Sequence, residues 1–131
     1  MSSWRKTCMR RSGAATSRLC WLVFHPDLEW RQAEGNPYHP DGAAWVGPQE
    51  VLEKLFMRLG SEWEGSTVTV HAFHDAGERV VMEGRYTGTY KPSSRNVDAQ
   101  VCHVLRFEGG KLLSFQQYVD TGQLQVVMAT S

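Results

Sequence analysis

No apolar run in this 131-residue chain approaches the roughly 18–20 residues that a membrane-spanning helix requires. An excess of charge is missing too, since Lys+Arg and Asp+Glu balance at 14 each. That removes the global basic field on which non-specific nucleic-acid binding depends. The three cysteines, Cys8, Cys20 and Cys102, form no CxxC and no paired spacing, which fits a reducing, cytoplasmic setting. There is no Gly-rich phosphate loop, no serine nucleophile elbow and no catalytic cysteine context. Gly84 and Gly88 do not match a dinucleotide fingerprint, and no internal repeat is visible. What remains is 41% hydrophobic and 21% charged, long enough for one domain with a real core.

The most informative stretch runs from Val97 to Thr121. It reads as two strands folded back at Glu108-Gly109-Gly110-Lys111, because a Gly-Gly pair takes positive φ freely at both central positions of a tight hairpin. Counting outwards from that turn, Phe107 faces Leu112, Leu105 faces Ser114, His103 faces Gln116, Val101 faces Tyr118 and Ala99 faces Asp120. The period of two puts all five pairs on one face. That face is apolar near the turn and gains an imidazole, an amide, a phenol and a carboxylate towards its open end, as a small-molecule pocket needs. Cys102, Val104, Arg106, Leu113, Phe115, Gln117 and Val119 fall on the other face. A one-residue bulge would move part of this set across.

The rest of the chain supplies partners for that hairpin. Residues 1–13 read as a basic leader with little order, and Ala14–Phe24 carries a short apolar stripe compatible with a first helix; an organelle transit peptide is the competing reading of the acid-free, Ser-rich start. Residues 14–131 read as a single domain. Pro26–Trp30 is extended, and Arg31–Val46 is loop-like. Pro48 opens the best helix, with Val51, Leu52, Leu55, Phe56 and Leu59 on one face, Glu50 paired with Lys54, and Gly60 as its stop. Strands are expected over Thr67–His74 and Arg79–Tyr90, with Gly84 and Gly88 marking a bend or a close approach. A short helix is expected over Gln123–Met128. Helices on one face of a bent antiparallel sheet define an α+β, cone-shaped roll.

The segments W-R-x-A-E-G-N-P-Y (30–38), G-P-Q-E-V-L-x-x-L-F (47–56), D-A-G-E-R-V-V (75–81), H-V-x-R-F-E-x-G-K (103–111) and Y-V-D-T (118–121) resemble the SnoaL-like family. That family belongs to the nuclear-transport-factor-2-like superfamily, which also holds ketosteroid isomerase and many non-catalytic members. The resemblance covers residues 28–128. It implies a strongly bent antiparallel sheet wrapped around N-terminal and middle helices, with a conical cavity. Met1–Cys20 departs from the family, lacking its acidic amphipathic helix and Gly-Asp turn.

The resemblance also implies an acid/base role for an Asp at the end of the last strand, here Asp120. The competing reading makes Asp120 the N-cap of the tail helix. His103 either relays a proton or is a neutral core histidine bonded to Gln116. Tyr118 and Tyr86 either donate to an oxyanion or line a wall. Trp30 and Tyr38 offer flat apolar surface at the mouth, and Gln116, Val101 and Leu105 complete the substrate-binding set. Glu34 reads as a solvated loop carboxylate and Glu83 as structural. His71 and His74 fall on opposite faces, so a metal site is rejected.

Two functions follow. One is a cofactor-independent isomerase or cyclase moving a proton on an enolisable polyketide- or steroid-like carbonyl compound, with Asp120, His103 and Tyr118 as catalytic groups. The other is a non-catalytic module binding a small apolar or polycyclic ligand, or a dimeric scaffold. Epoxide hydrolysis ranks last because it wants a second carboxylate. No cofactor, nucleic acid or membrane is implied. The apolar outer face (Cys102, Val104, Phe115, Val119) predicts a homodimer through the sheet.

Overall fold

The computed structural model describes residues 23–129. The chain runs β1 (Phe24–Arg31), β2 (Trp45–Val46), α1 (Pro48–Val51), a π-helical turn (Leu52–Phe56), α2 (Met57–Glu62), β3 (Trp63–Ala76), β4 (Arg79–Tyr90), β5 (Arg95–Glu108), β6 (Lys111–Val119) and α3 (Thr121–Val127). The leader expected over 1–13 lies outside the described residues. So does the helix expected over 14–24, apart from Val23 and Phe24, and Phe24 opens β1.

The six strands form one open, mixed sheet in the order β2-β1-β6-β5-β4-β3. Every neighbouring pair is antiparallel except β1 and β6, which lie parallel. An α+β roll was expected; the parallel pair is the addition. It arises because the first long strand docks beside the last, which only a long crossover connection permits.

Helix formation follows the expected logic. Gly47 holds a φ of 88° just before Pro48, and Pro48 occupies a position whose N–H would be unpaired anyway. Lys54 lies 3.4 Å from Glu50. Val51 and Leu55 are buried, while the helix runs past Gly60 to Glu62 before Trp63 turns extended. These side chains press onto Leu28, Trp30, Val80, Leu105, Leu112 and Phe115, the main core. A second cluster (Trp63, Tyr90, Val97, Ala99, Leu124, Val127) seats α3 on the far end of the sheet. Each buried aromatic or aliphatic side chain contributes roughly 1.5–3 kcal/mol.

Two features bend the sheet. A Cβ on Gly84 would stand 2.3 Å from the Thr69 carbonyl oxygen, so only glycine admits β3 this close, beside a register shift between Val70 and Ala72. The other feature alters the site. Gly109 and Gly110 take φ of 58° and 79°, Glu108 faces Lys111 and Phe107 faces Leu112, as counted from the turn. The register then slips by one residue: Arg106 faces Ser114, Leu105 faces Phe115, Val104 faces Gln116, His103 faces Gln117, Cys102 faces Tyr118 and Val101 faces Val119. An extra residue at Leu113 reverses every later side chain of β6. The unslipped register would bury Ser114 and Gln116 and push Phe115 into water. The bulge instead buries Phe115, whose ring stacks 3.6 Å from that of Trp30.

Candidate functional site

The slip decides which polar groups meet. On the inner face His103 of β5 lies between Met82 of β4 and Gln117 of β6, and all three are buried. Tyr86, four residues along β4 from Met82, turns its hydroxyl inwards to bond His103 Nε2. Gln117 Nε2 donates to the same hydroxyl oxygen at 3.0 Å. The other end of the Gln117 amide, Oε1, accepts from Asn36 Nδ2 at 2.8 Å and from the Ala33 backbone N–H at 3.2 Å. Asn36 Oδ1 accepts from the Tyr38 N–H at 3.0 Å. A chain of bonds therefore runs from the loop after β1, through an amide and a phenol, to an imidazole.

The imidazole stands in apolar surroundings. Its ring meets the Phe115 ring edge-on at 4.5 Å, and Phe115 carries Trp30 on its other neighbour contact. Val101 and Leu105 flank it on the same face of β5 and are buried. Burial lowers the His103 pKa to about 3, so the ring is neutral at physiological pH. Burial likewise raises the Tyr86 pKa, keeping the phenol protonated. One atom is left over: His103 Nδ1 is buried and has no hydrogen-bond partner.

Of the residues expected at the site, Trp30, Tyr86, Val101, His103 and Leu105 share this face. Tyr38 is buried elsewhere. Its hydroxyl donates to Glu62 Oε1 at 2.9 Å and accepts from Trp63 Nε1 at 2.9 Å, and its ring lies under the Arg58 guanidinium, so it ties the loop to α2 and β3. Burial and the Glu62 bond raise its pKa.

Three expected residues lie apart from His103, and the cause is the slip at Leu113. Tyr118 is 57% exposed on the outer face. Gln116 also turns outwards, donating to the Gln117 carbonyl at 2.8 Å, so the His103–Gln116 bond expected from the unslipped count is replaced by the His103–Gln117 pairing. Asp120 N-caps α3, accepting the Gln123 N–H at 3.2 Å. Gln116 and Tyr118 instead line an open depression of about 640 Å³ with Arg31, Glu34, Asp41 and Thr121.

Gln117, Asn36 and Phe115 were not expected at the site. Strict alternation from the turn puts Phe115 and Gln117 on the other face, and nothing local marks the extra residue at Leu113. His25, His39 and His74 have local partners. His39 stacks on Trp45 with ring centres 4.8 Å apart, and His74 Nε2 lies 2.5 Å from Glu83 Oε2. Among the described residues no three His, Cys, Asp or Glu side chains converge as a metal site, and no helix is long and apolar enough to cross a membrane.

An open, bent sheet with helices on one face and a polar cluster on its inner wall defines a protein of the nuclear-transport-factor-2-like class. The SnoaL-like domain model matches residues 22–115, more than half of the chain, and the chain belongs to that family. Among solved structures it is similar to an NTF2-like protein from Burkholderia thailandensis, at 33% identity over 86% of this chain and 85% of that one, TM-score 0.79. A hypothetical protein with a ketosteroid isomerase-like fold from Catenulispora acidiphila, solved with trimethylamine, shares the fold at 18% identity over 97% and 92%, TM-score 0.78. So does a protein assigned as a SnoaL-like polyketide cyclase from Jannaschia, at 14% identity over 88% and 80%, TM-score 0.75. No curated protein matches the chain.

Proposed function

We propose that this protein binds a small, largely apolar molecule against the inner face of the sheet, with the polar end of that molecule at His103. The observation that carries this reading is the unpartnered Nδ1 in an apolar wall. A buried polar atom without a partner costs about 1–3 kcal/mol, which a ligand atom bonded to it would offset. Trp30, Phe115, Val101 and Leu105 supply apolar contact around it.

Binding is favoured over proton transfer by Asp120 for a geometric reason. Asp120 is engaged as a helix cap, and the buried polar side chains among the described residues are Gln32, Asn36, His103 and Gln117, none of them a carboxylate. His103 is a poor base, because its pKa is depressed to about 3 and its Nε2 is occupied by Tyr86. An isomerase or cyclase activity on this face would rest on polarisation of a bound group by the imidazole, with the proton carried by another group.

The homodimer remains part of the proposal in altered form. Phe115 and Val119 turn inwards, leaving Cys102, Val104 and exposed Tyr118 as its apolar anchors. Light scattering at micromolar concentration should give twice the chain mass, and a clean monomer mass would remove the dimer.

The binding test is a tryptophan-fluorescence titration with a panel of mono- to tricyclic ketones, with Trp30→Phe run alongside to isolate the Trp30 signal from that of the other four tryptophans. At least one should quench saturably, and the matching hydrocarbon should bind about tenfold more weakly, the worth of one hydrogen bond. If no member of the panel perturbs Trp30 or the His103 ring resonances, the reading falls.

A further inference from the structure

We infer that Gln117 is a positioning residue that locks His103 as the Nδ1–H tautomer, so that the site accepts ligands through a hydrogen-bond acceptor such as a ketone oxygen. This deepens the binding reading above and rests on it for the ligand, though not for the tautomer.

The argument follows one proton at a time from groups whose chemistry allows no choice. A backbone N–H only donates. The Tyr38 N–H points at one end of the Asn36 side chain, so that end is the carbonyl oxygen and the other end is the NH₂. The Ala33 N–H points at one end of the Gln117 side chain, so that end is likewise the oxygen. It also receives the Asn36 NH₂, which agrees with the first assignment. Two independent backbone donors thus orient both amides. The Gln117 NH₂ must then face Tyr86 and donate to its oxygen. The phenol's other printed partner is that NH₂, which can only donate, so among the described residues its single proton has His103 Nε2 as its acceptor. A neutral imidazole accepting at Nε2 carries its proton at Nδ1. Nδ1 is the atom without a partner.

The site therefore presents one buried N–H donor without a partner, while every acceptor atom along this chain of bonds already has one. An acceptor-only ligand satisfies it. A donor-only ligand of the same size meets N–H against N–H and leaves the imidazole proton unpaired. His103 and Gln117 are 2% and 4% exposed, so solvent does not blur the difference.

Gln117→Glu reverses the relay. Above the titration range of its carboxyl, a glutamate at 117 accepts from Ala33, Asn36 and Tyr86 alike. The phenol proton then turns towards the carboxylate, its oxygen accepts from His103 Nε2–H, and Nδ1 becomes a lone pair.

The decisive measurement is long-range ¹H–¹⁵N correlation NMR on the full chain labelled at its histidine rings, with His103→Gln used to assign the resonance. Wild type should show the Nδ1–H pattern, and Gln117→Glu at pH 8 the Nε2–H pattern. Tyr86→Phe, which removes one oxygen, should lose the single-tautomer pattern. A wild-type Nε2–H pattern overturns the lock, as does an unchanged pattern in folded Gln117→Glu. Two bicyclic probes test the ligand class: 1-tetralone, which only accepts, and indole, which donates through N–H. Wild type should prefer 1-tetralone about tenfold, and Gln117→Glu should invert the order. Ketone binding with the wrong tautomer sinks the lock and spares the binding site. The right tautomer with neither probe bound does the reverse.

Discussion

On the outer face of the sheet, polar side chains meet as exposed pairs, two of them Arg–carboxylate. His74 lies 2.5 Å from Glu83, Arg85 lies 2.7 Å from Asp98, and Arg106 lies 3.3 Å from Glu78 of the β3–β4 turn. On the inner face of β4, β5 and β6 the polar groups are a neutral amide, phenol and imidazole, linked in one direction and buried in hydrocarbon. Water competes for every exposed pair and salt screens it, so each contributes little. Inside, each donor has one acceptor to choose, and a missing partner is costly. The same strands thus spend charge where it makes little difference and neutral hydrogen bonds where direction matters.

The comparison can be broken most severely at Phe115. Phe115→Ala removes the ring stacked on Trp30 and should destabilise the fold by about 3–5 kcal/mol. Tyr118→Ala, three residues on and outward-facing, should stay within about 0.5 kcal/mol in the same denaturant titration run dilute enough to dissociate the proposed dimer. Equal losses would mean that the slip at Leu113 is not the register in solution.

Gln117→Leu should cost about 1–3 kcal/mol, because it strands the Ala33 N–H and the Asn36 amide without an acceptor. Thermal unfolding with Gln116→Leu alongside separates loss of the relay from loss of an amide.

Acid sharpens the contrast further. The unfolded chain binds a proton at His103 near the ordinary value of 6.5, whereas the folded ring resists until about 3. Stability is therefore intact above 6.5 and falls as pH drops through the window below it. The slope of one proton amounts to about 2 kcal/mol between pH 6.5 and 5. His103→Gln should show a shallower decline of Tm over that range. An identical slope would mean that the wild-type ring is already charged when folded.

Asp120→Ala should cost about 1 kcal/mol through the lost cap of α3. Ligand binding on the inner face should be unchanged, and a binding loss beyond tenfold would return Asp120 to the site. A small effect is also expected of Arg85→Ala, under about 1 kcal/mol and vanishing in high salt. A larger, salt-insensitive loss would show that the outer ladder carries more than its exposure implies.

Much of the fold was legible because the signals are local. The Gly-Gly turn, the Pro48 helix start and the bounds of β4 at Arg79 and Tyr90 follow from dihedral freedom and from periods of 3.6 and 2. His103 and Tyr86 were legible as inner-face residues for the same reason, whereas Trp30 was expected only at the mouth. Gln117 and Asn36 were not, because their role depends on groups brought from opposite ends of the chain.

By itself the amino-acid sequence determined the order of elements, the hairpin and the half of the site carried by β4 and β5, since β4 and β5 pair without a break in register. Only the tertiary structure decided which way β6 faces beyond Leu113. The bulge there is selected by the gain from burying Phe115 on Trp30, a contact between the first strand and the last that no local pattern contains. That one packing choice took Tyr118 and Asp120 away from the imidazole and put Gln117 beside it.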